Sequence, residues 1–206
     1  SVPSARPSSS SPIRRTGPRH TRQPILFSNE HPGECVQIDV KKVKVAGQKC
    51  FQYTALDDCT RYRVLRLYPR QYHGTSLDFL ATVRHTLPFP IRKVQVDNGT
   101  EFPLAFALAV QEAGIRLRHI QPRRPEQNGK VERSHRIDEE EFWSRATFEE
   151  FTSAAQALRA WEHRYNFDRF SMALHGLTPA EKLATFLSPL TPSSPNTPCT
   201  HSGAAA

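Results

Sequence analysis

Three runs of alternating apolar and polar residues follow one another between residues 35 and 68. Such alternation is typical of strands that turn one face to a core, because successive side chains of a strand point to opposite sides. The first run covers residues 35–45, Gly47 then predicts a turn, and the pattern resumes in residues 51–55 and 62–68. The sequence therefore predicts a three-stranded antiparallel meander, which excludes an all-helical fold.

Helix and strand signals alternate after this meander. The predicted elements are helices at residues 75–87 and 103–113, strands at residues 91–96 and 115–120, and a helix from Pro125 to about residue 143. A further helix is predicted to open at Thr147, because Thr147 and Glu150 have the spacing of a capping box. Together these elements predict an α/β fold with a central mixed sheet of five strands, the first three antiparallel, flanked by helices.

Composition separates both ends of the chain from its body. Residues 1–24 hold six Ser, five Pro and five Arg, and residues 188–206 hold four Pro, four Ser and three Thr. Neither segment has enough apolar side chains to offset the conformational entropy that folding removes. We therefore expect a disordered basic tail at residues 1–24, a folded core at residues 25–187 and a disordered tail at residues 188–206.

Membrane and secreted proteins are excluded by simple features of the sequence. The longest apolar run, residues 104–110, is far shorter than the roughly 18 residues of a membrane span. No apolar stretch follows the N-terminal arginines, so this end is not a secretory signal. The four cysteines form no C-x-x-C pair and are expected to be buried thiols in a reducing compartment. The cytoplasm is the predicted location.

Positive charge suggests a polyanionic partner. The chain has 28 Lys and Arg against 20 Asp and Glu, a formal net charge of +8 at pH 7. Seven of these basic residues and only two acidic ones fall within residues 116–136. A basic stretch of this kind is typical of nucleic-acid binding, although a solvated charged face is the alternative.

Three carboxylates stand out by their positions. Asp39 lies inside the first predicted strand, where a carboxylate must be solvated, paired or bound to metal, and Asp97 ends the fourth strand. Glu132 lies about two turns into the helix after Pro125, so all three can meet in one cluster. Such a cluster suits Mg²⁺ or Mn²⁺, and a pair of such ions supports chemistry at a phosphodiester. Each residue alone also fits an ordinary turn aspartate or surface glutamate.

An ordered series of motifs surrounds these carboxylates. The motifs are Ile38-Asp39-Val40, Leu56-Asp57-Asp58, Val96-Asp97-Asn98-Gly99-Thr100-Glu101-Phe102, Gln127-Asn128-Gly129-Lys130-Val131-Glu132-Arg133, Tyr165-Asn166 and Leu177-Thr178-Pro179-Ala180-Glu181. Through them, residues 32–183 resemble the integrase and transposase superfamily with the DDE triad, and in particular insertion-sequence transposases whose catalytic core is related to retroviral integrase.

The resemblance implies an RNase H-like fold and a DNA transposase. It implies that Asp39, Asp97 and Glu132, here called the triad, are the catalytic residues and hold Mg²⁺ or Mn²⁺, with two ions when DNA is bound. The implied partners are transposon ends and target DNA in a prokaryotic nucleoid, with a homodimer as a candidate assembly and no membrane. The cations expected to contact DNA are Arg123, Arg124, Lys130, Arg133 and Arg136, for which ordinary solvated cations are the alternative.

Other acidic and histidine residues near these motifs have structural roles in this prediction. Asp57 and Asp58 are expected to cap the end of a strand and to pair with Arg61 rather than to bind metal. His119 and His135 are expected to be surface or packing residues.

Three functions remain open from the sequence. The first is a strand-transferase core, which hydrolyses DNA at transposon ends and then joins the 3′-hydroxyl to target DNA. The second is a degenerate, inactive transposase remnant that binds DNA or a partner, favoured because no helix-turn-helix region precedes residue 30. The third is a plain nuclease such as an RNase H, which the motif around Glu132 fits poorly.

Overall fold

The computed structural model describes residues 29–97, 99, 102–120 and 129–187. The strands are β1 (Val36–Val45), β2 (Gln48–Asp57), β3 (Arg63–Tyr68), β4 (Lys93–Val96) and β5 (Arg116–His119). The helices are α1 (His73–Thr86), α2 (Leu104–Glu112), α3 (Gly129–Asp138), α4 (Phe151–Phe167) and α5 (Pro179–Leu187). A π-helical turn, Glu139–Trp143, continues α3, and a 3₁₀ turn, Met172–Leu174, precedes α5. Residues 1–24 and 188–206, predicted to be tails, lie outside the described residues.

The five strands form one mixed sheet in the order β3-β2-β1-β4-β5. The first three strands pair antiparallel, whereas β4 runs parallel to both β1 and β5. This confirms the predicted meander followed by β-α-β units. Strands β1 and β4 run in the same direction, with Asp39 the fourth residue of the longer β1 and Asp97 directly after the end of β4.

The β1–β2 hairpin closes through the two residues Ala46 and Gly47. Both have positive φ, 49° and 76°, as a type I′ turn requires. The amide of Ala46 also donates to the carbonyl of Phe148 at 3.2 Å, which fastens the turn to the segment before α4. The sequence predicted this turn from Gly47.

Two hydrophobic clusters lie on opposite faces of the sheet. Helices α1 and α2 cover one face through the buried side chains Phe79, Leu80, Val83, Phe106 and Val110. The π turn and α4 cover the other through Phe142, Ala154, Leu158, Trp161 and Tyr165. Because burying one large apolar side chain contributes about 1.5–3 kcal/mol, these two clusters hold the helices on both faces, as predicted.

The predicted start of α4 at Thr147 is wrong, because the helix begins at Phe151 and no side chain caps its first turn. Phe148 instead packs its ring 5.5 Å from that of Phe142, and its carbonyl is held by the β1–β2 turn. These contacts keep the chain before Phe151 out of the helix. A capping box forms at α5, where the Thr178 amide donates to Glu181 and the Glu181 amide donates to the Thr178 hydroxyl.

Cys35, Cys50 and Cys59 are free thiols and buried, as the sequence predicts, whereas Cys199 lies outside the described residues. Burial raises the pKa of the Cys35 and Cys59 thiols to about 11, so both are protonated at neutral pH. Among the described residues, no helix has the length and apolar composition needed to cross a membrane.

Candidate active site

The sheet face beneath α3 is lined by polar side chains. Gln37 and Gln52 are 5% and 0% exposed there, and Thr54 is also fully buried. They alternate with apolar residues that fill the cluster under α1 and α2, because neighbouring positions of a strand face opposite sides. Buried polar groups are costly unless they are hydrogen-bonded, so this face needs a polar partner.

Helix α3 supplies that partner. Its buried residues are Val131, Ser134 and Asp138, which recur at helical spacing on one side, while Glu132, Arg133 and Arg136 are exposed. The helix packs on β1 and β2. The side of α3 that meets the sheet is therefore mostly polar, which is unusual for a helix in a small domain.

The register between β1 and β4 brings Asp39 and Asp97 to the same level. Val36 pairs with Val94 and Gln37 with Gln95, partners that lie 58 positions apart in the sequence. Asp39 and Asp97 are separated by the same 58 positions. Asp97 follows the last residue of β4, and continuing the same register by two residues would put the two aspartates side by side on the polar face, with about 4.8 Å between the strands.

Each aspartate accepts a hydrogen bond from nearby backbone. The Oδ1 atom of Asp39 accepts the amide of Val40 at 2.8 Å. The Oδ1 atom of Asp97 accepts the amide of Gly99 at 3.0 Å, an Asx turn that ends β4. These contacts orient the carboxylate of Asp39 within β1 and that of Asp97 directly after β4, and Gly99 lies in the turn that the sequence predicted.

His135 links α3 to Asp39. Its Nδ1 atom lies 3.7 Å from Asp39 Oδ2, and its Nε2 atom lies 3.1 Å from the hydroxyl of Thr54, which pairs with Asp39 across β1 and β2. Burial lowers the pKa of His135 to about 4, so the ring is neutral at pH 7. His135 is thus a packing residue, as predicted, and it lies one turn along α3 from Glu132.

His119 also lies beside the triad. Its Nδ1 atom is 3.3 Å from the backbone carbonyl of Asp97, and its side chain is exposed. The sequence predicted a surface histidine here.

The donor chemistry of the triad fits a hard divalent cation. Its three members offer only carboxylate oxygens, which Mg²⁺ and Mn²⁺ prefer. Asp39 is partly buried and Glu132 is exposed at the α3 surface. In the part of the chain that the structure describes, no group of three or more His, Cys, Asp or Glu side chains is close enough together to hold a metal ion.

Asp57 is a structural residue. Its Oδ1 atom accepts the amide of Gly33 at 2.8 Å, and its Oδ2 atom accepts both the amide and the hydroxyl of Thr60 at 2.8 Å. Burial raises the pKa of Asp57, although these hydrogen bonds oppose that shift. Asp57 therefore caps the turn after β2, as predicted.

Asp58 is held by several partners. Its Oδ1 atom lies 3.7 Å from Arg61 Nη1, the predicted pairing, and 2.6 Å from the ammonium of Lys130. Gln37 and Asn29 also donate to this carboxylate, at 3.1 and 2.7 Å. The cluster joins the residues before β1, the turn after β2 and the first turn of α3.

The cations predicted to contact DNA lie in different environments. The side chain of Lys130 is only 8% exposed and pairs with Asp58, whereas Arg133 and Arg136 are exposed on α3. Arg123 and Arg124 lie outside the described residues. DNA contact by these residues stays a prediction. It is best supported for Arg133 and Arg136, because both are exposed on α3.

A buried ion pair between Arg63 and Asp138 was missed by sequence reasoning. Arg63 Nη1 lies 2.6 Å from Asp138 Oδ1, and neither side chain is exposed. Arg63 also donates to Ser134 at 3.0 Å, and its guanidinium lies 3.4 Å from the centre of the Tyr165 ring. The pair therefore joins β3 to α3 and α4. Its one sequence signal is a charged residue at the start of the apolar strand β3.

Further hydrogen bonds complete this network. The Trp161 indole donates to Asp138 Oδ1 and the Gln52 amide donates to Asp138 Oδ2, both at 2.7 Å. The side chain of Asn166 pairs with both backbone groups of Arg63, at 3.0 and 2.8 Å. Tyr165 and Asn166, one of the motifs of the sequence, thus hold α4 against β3, and the contacts of Asp138 hold α3 over the sheet.

Comparison with known protein families gives two matches. Residues 29–125 match a family described as integrase core domain, and residues 113–179 match a second family with the same description. The two matches overlap and together span the sheet, α3 and α4.

Comparison with solved structures gives a chain of an intasome complex and integrase catalytic cores. A chain in the cryo-EM structure of the simian T-cell lymphotropic virus intasome in complex with PP2A regulatory subunit B56 gamma is 17% identical, with a TM-score of 0.68, over 86% of this chain and 63% of that one. The HTLV-2 integrase catalytic core domain in complex with magnesium, in its dimeric form, is 15% identical, with a TM-score of 0.60, over 74% of this chain and 97% of that one. Its trimeric form is 15% identical, with a TM-score of 0.60, over 73% and 95%. The fold is therefore the RNase H-like fold of integrase catalytic cores, as the sequence predicts.

Proposed function

Residues 29–179 form an integrase core domain, and from that premise we propose that this chain is the catalytic core of a DNA transposase. In this proposal the core hydrolyses a phosphodiester bond at a transposon end and leaves a 3′-hydroxyl. That hydroxyl then attacks a phosphodiester of target DNA, so that one P–O bond forms as another breaks.

The register of Asp39 and Asp97 is the observation that carries this proposal. Two carboxylates at matching positions of neighbouring parallel strands repel each other, and a divalent cation between them would offset that repulsion. Asp57 and Asp58 form hydrogen bonds and ion pairs that hold the turn after β2. The register of Asp39 and Asp97 therefore supports a cationic ligand between them.

The triad would hold Mg²⁺ or Mn²⁺. When bound, such an ion offsets the charge of the carboxylates, activates the attacking oxygen and stabilises the oxygen that leaves phosphorus. Asp39 and Asp97 lie on the rigid sheet, while Glu132 lies on α3, whose position depends on His135 and on the buried Asp138. The HTLV-2 core, solved with magnesium, supports the choice of ion.

DNA binding would be largely electrostatic. Arg133 and Arg136 are exposed on the helix that carries Glu132, and Arg123 and Arg124 precede that helix. Their positive charge suits the phosphate backbone, which dominates the affinity of proteins for DNA. A homodimer remains part of the proposal, since the HTLV-2 core was solved in a dimeric form.

A strand-transfer assay tests the proposed function. A labelled duplex with a recessed 3′-hydroxyl is incubated with supercoiled plasmid and Mn²⁺, and joining of label to plasmid is measured. We expect joining and nicking by the natural chain and none by Glu132→Gln. The matched control is Glu140→Gln, another exposed glutamate of the same region, which should retain activity.

One observation favours the inactive binding module instead. The triad is not gathered into a single metal-binding group among the described residues. If the natural chain binds DNA but neither nicks nor joins it with Mn²⁺, the inactive module replaces the transposase. Cleavage of an RNA–DNA hybrid without any joining would favour the third hypothesis, a nuclease.

A further inference from the structure

The tip of the β1–β2 hairpin carries a second concentration of positive charge. Residues 41–49 contain four lysines and no acidic residue. Three of them, Lys42, Lys44 and Lys49, are exposed, and we call them the hairpin lysines. None forms an ion pair with a carboxylate of the described residues.

Lys41 differs from the hairpin lysines. It lies on the α3 face of β1, where its ammonium pairs with Glu139 and donates to the carbonyl of His135 at 3.3 Å. Only 19% of its side chain is exposed. Lys41 therefore has a structural role that explains its charge, whereas the fold gives no such role to the hairpin lysines.

The hairpin lysines share one face of the strand pair. It is the face of Phe51, which belongs to the cluster under α1 and α2, and it is opposite to the face of Asp39 and Lys41. Lys44 lies directly opposite Lys49, and Lys42 lies directly opposite Phe51. The ammonium of Lys49 lies 5.3 Å from the centre of the Phe51 ring, which brings it toward Lys42. Like charges directly opposite each other destabilise a strand pair, so this arrangement costs free energy in the isolated protein.

The hairpin holds these charges in place. Its loop has only two residues, and the Ala46 amide is tied to the carbonyl of Phe148. A short, anchored turn between paired strands has little freedom to spread the lysines apart. A fixed row of unpaired cations is a suitable binding surface for a polyanion with regularly spaced charges.

The hairpin projects from the edge of the sheet that carries Asp39 and Asp97. Strand β4 pairs with β1 only at Val36 and Gln37, so the later residues of β1 extend beyond the end of β4. At about 3.3 Å per residue, Lys42 and Lys44 lie roughly 10 and 17 Å along the strand from Asp39. These distances along the strand correspond to about three and five base pairs of duplex DNA, at 3.4 Å each.

We propose that Lys42, Lys44 and Lys49 bind backbone phosphates of duplex DNA at the side of the hairpin that faces away from α3. This inference rests on the proposed function, because it takes the DNA to be the substrate of the site. It adds a binding surface beyond the basic residues of α3 and of the segment before it.

The dependence of DNA affinity on salt tests the hairpin separately from the active site. Fluorescence anisotropy of a 30-base-pair duplex is measured between 50 and 200 mM NaCl. The natural chain is compared with Lys42→Gln/Lys44→Gln/Lys49→Gln and with the matched control Arg70→Gln/Arg84→Gln/Arg159→Gln. The control removes three exposed charges elsewhere, on the β3–α1 loop, α1 and α4.

We expect the plot of log affinity against log salt concentration to be shallower by about 2.7 for the hairpin variant, since each lost phosphate contact contributes about 0.9. The control should change the slope by much less. If the hairpin variant gives the same slope in this plot as the natural chain or the control, the inference is overturned while the proposed function stays intact. Failure of the natural chain to bind DNA at 50 mM NaCl would overturn both.

Thermal melting checks that the hairpin variant is folded. Its melting temperature should equal or exceed that of the natural chain, because the repulsion between Lys44 and Lys49 is removed. If the triple variant melts lower, the single variant Lys44→Gln replaces it. The inference then predicts that the slope of log affinity against log salt concentration differs by about 0.9 between Lys44→Gln and the natural chain, and equal slopes would overturn it.

Discussion

Asp138→Asn should strongly destabilise the protein. The Asp138 carboxylate is fully buried, pairs with Arg63 at 2.6 Å and accepts hydrogen bonds from Trp161 and Gln52. The amide keeps the shape of the side chain but removes the charge, which leaves the buried Arg63 guanidinium uncompensated. Removing one partner of a buried pair typically costs about 3–5 kcal/mol, a large part of the roughly 5–15 kcal/mol of a natural domain.

Urea denaturation followed by circular dichroism measures this loss. For a chain of this size, about 3–5 kcal/mol corresponds to a fall in melting temperature of roughly 6–20 °C. The neighbouring Glu139→Gln is the matched control, because Glu139 is 57% exposed and pairs with Lys41 at the surface. Such a pair contributes about 1 kcal/mol or less, so this variant should remain close to the natural chain.

The reasoning would be refuted if Asp138→Asn lowered the free energy of unfolding by less than about 1 kcal/mol, or by no more than Glu139→Gln does. A second variant separates the charge from the packing. Arg63→Met/Asp138→Leu removes both charges and should recover much of the lost stability, because apolar residues often replace a buried ion pair without loss.

Three further predictions concern activity, the start of α3 and acid stability. Replacing any one residue of the triad by its amide should abolish Mn²⁺-dependent joining. The triple variant should be hardly less active than each single variant, because the effects of groups that act as a unit are not additive. Additive losses in the joining assay would contradict this prediction. Lys130→Met should lower the free energy of unfolding in urea by about 1–3 kcal/mol, because it takes the ammonium away from the buried Asp58; an unchanged midpoint would argue against that role. Hydrogen bonds from Arg169 lower the pKa of Glu141 below its ordinary value of 4.5. The pair therefore stabilises the folded protein above pH 4.5, and this stabilisation is lost as the pH falls through the lower pKa of the folded state. Arg169→Met should therefore be less stable than the natural chain at pH 7 but approach it in acid, and a constant difference in urea midpoint across pH 3–7 would contradict the linkage.

Strands of the meander were predictable from local pattern alone. Alternation in residues 35–45 is a property of neighbouring residues, and β1 follows it within one residue. The start of α4 was not predictable in this way, since Thr147-x-x-Glu150 and Thr178-x-x-Glu181 have the same spacing. Only the second forms a capping box, because tertiary contacts of Phe148 hold the first segment in another conformation.

The site was predictable to a similar degree. Asp39 and Asp97 could be assigned to the first and fourth strands, but the pairing of those two strands with each other depends on the fold. The pairing of Arg63 with Asp138 could not be foreseen, because nothing local joins residues on β3 and α3. Lys130 and Arg133 look alike in the sequence, yet one is buried against Asp58 and the other is exposed, a difference that depends on where α3 meets the turn after β2.

Anomalous diffraction from crystals grown with Mn²⁺ tests the central claim most directly, because it locates the ion without any assumption about the DNA. The account predicts an anomalous peak between the carboxylates of Asp39 and Asp97 in the natural chain, and no peak there in Asp97→Asn. No peak at these carboxylates in the natural chain, or a peak at Asp57 and Asp58 instead, would contradict the assignment of the active site.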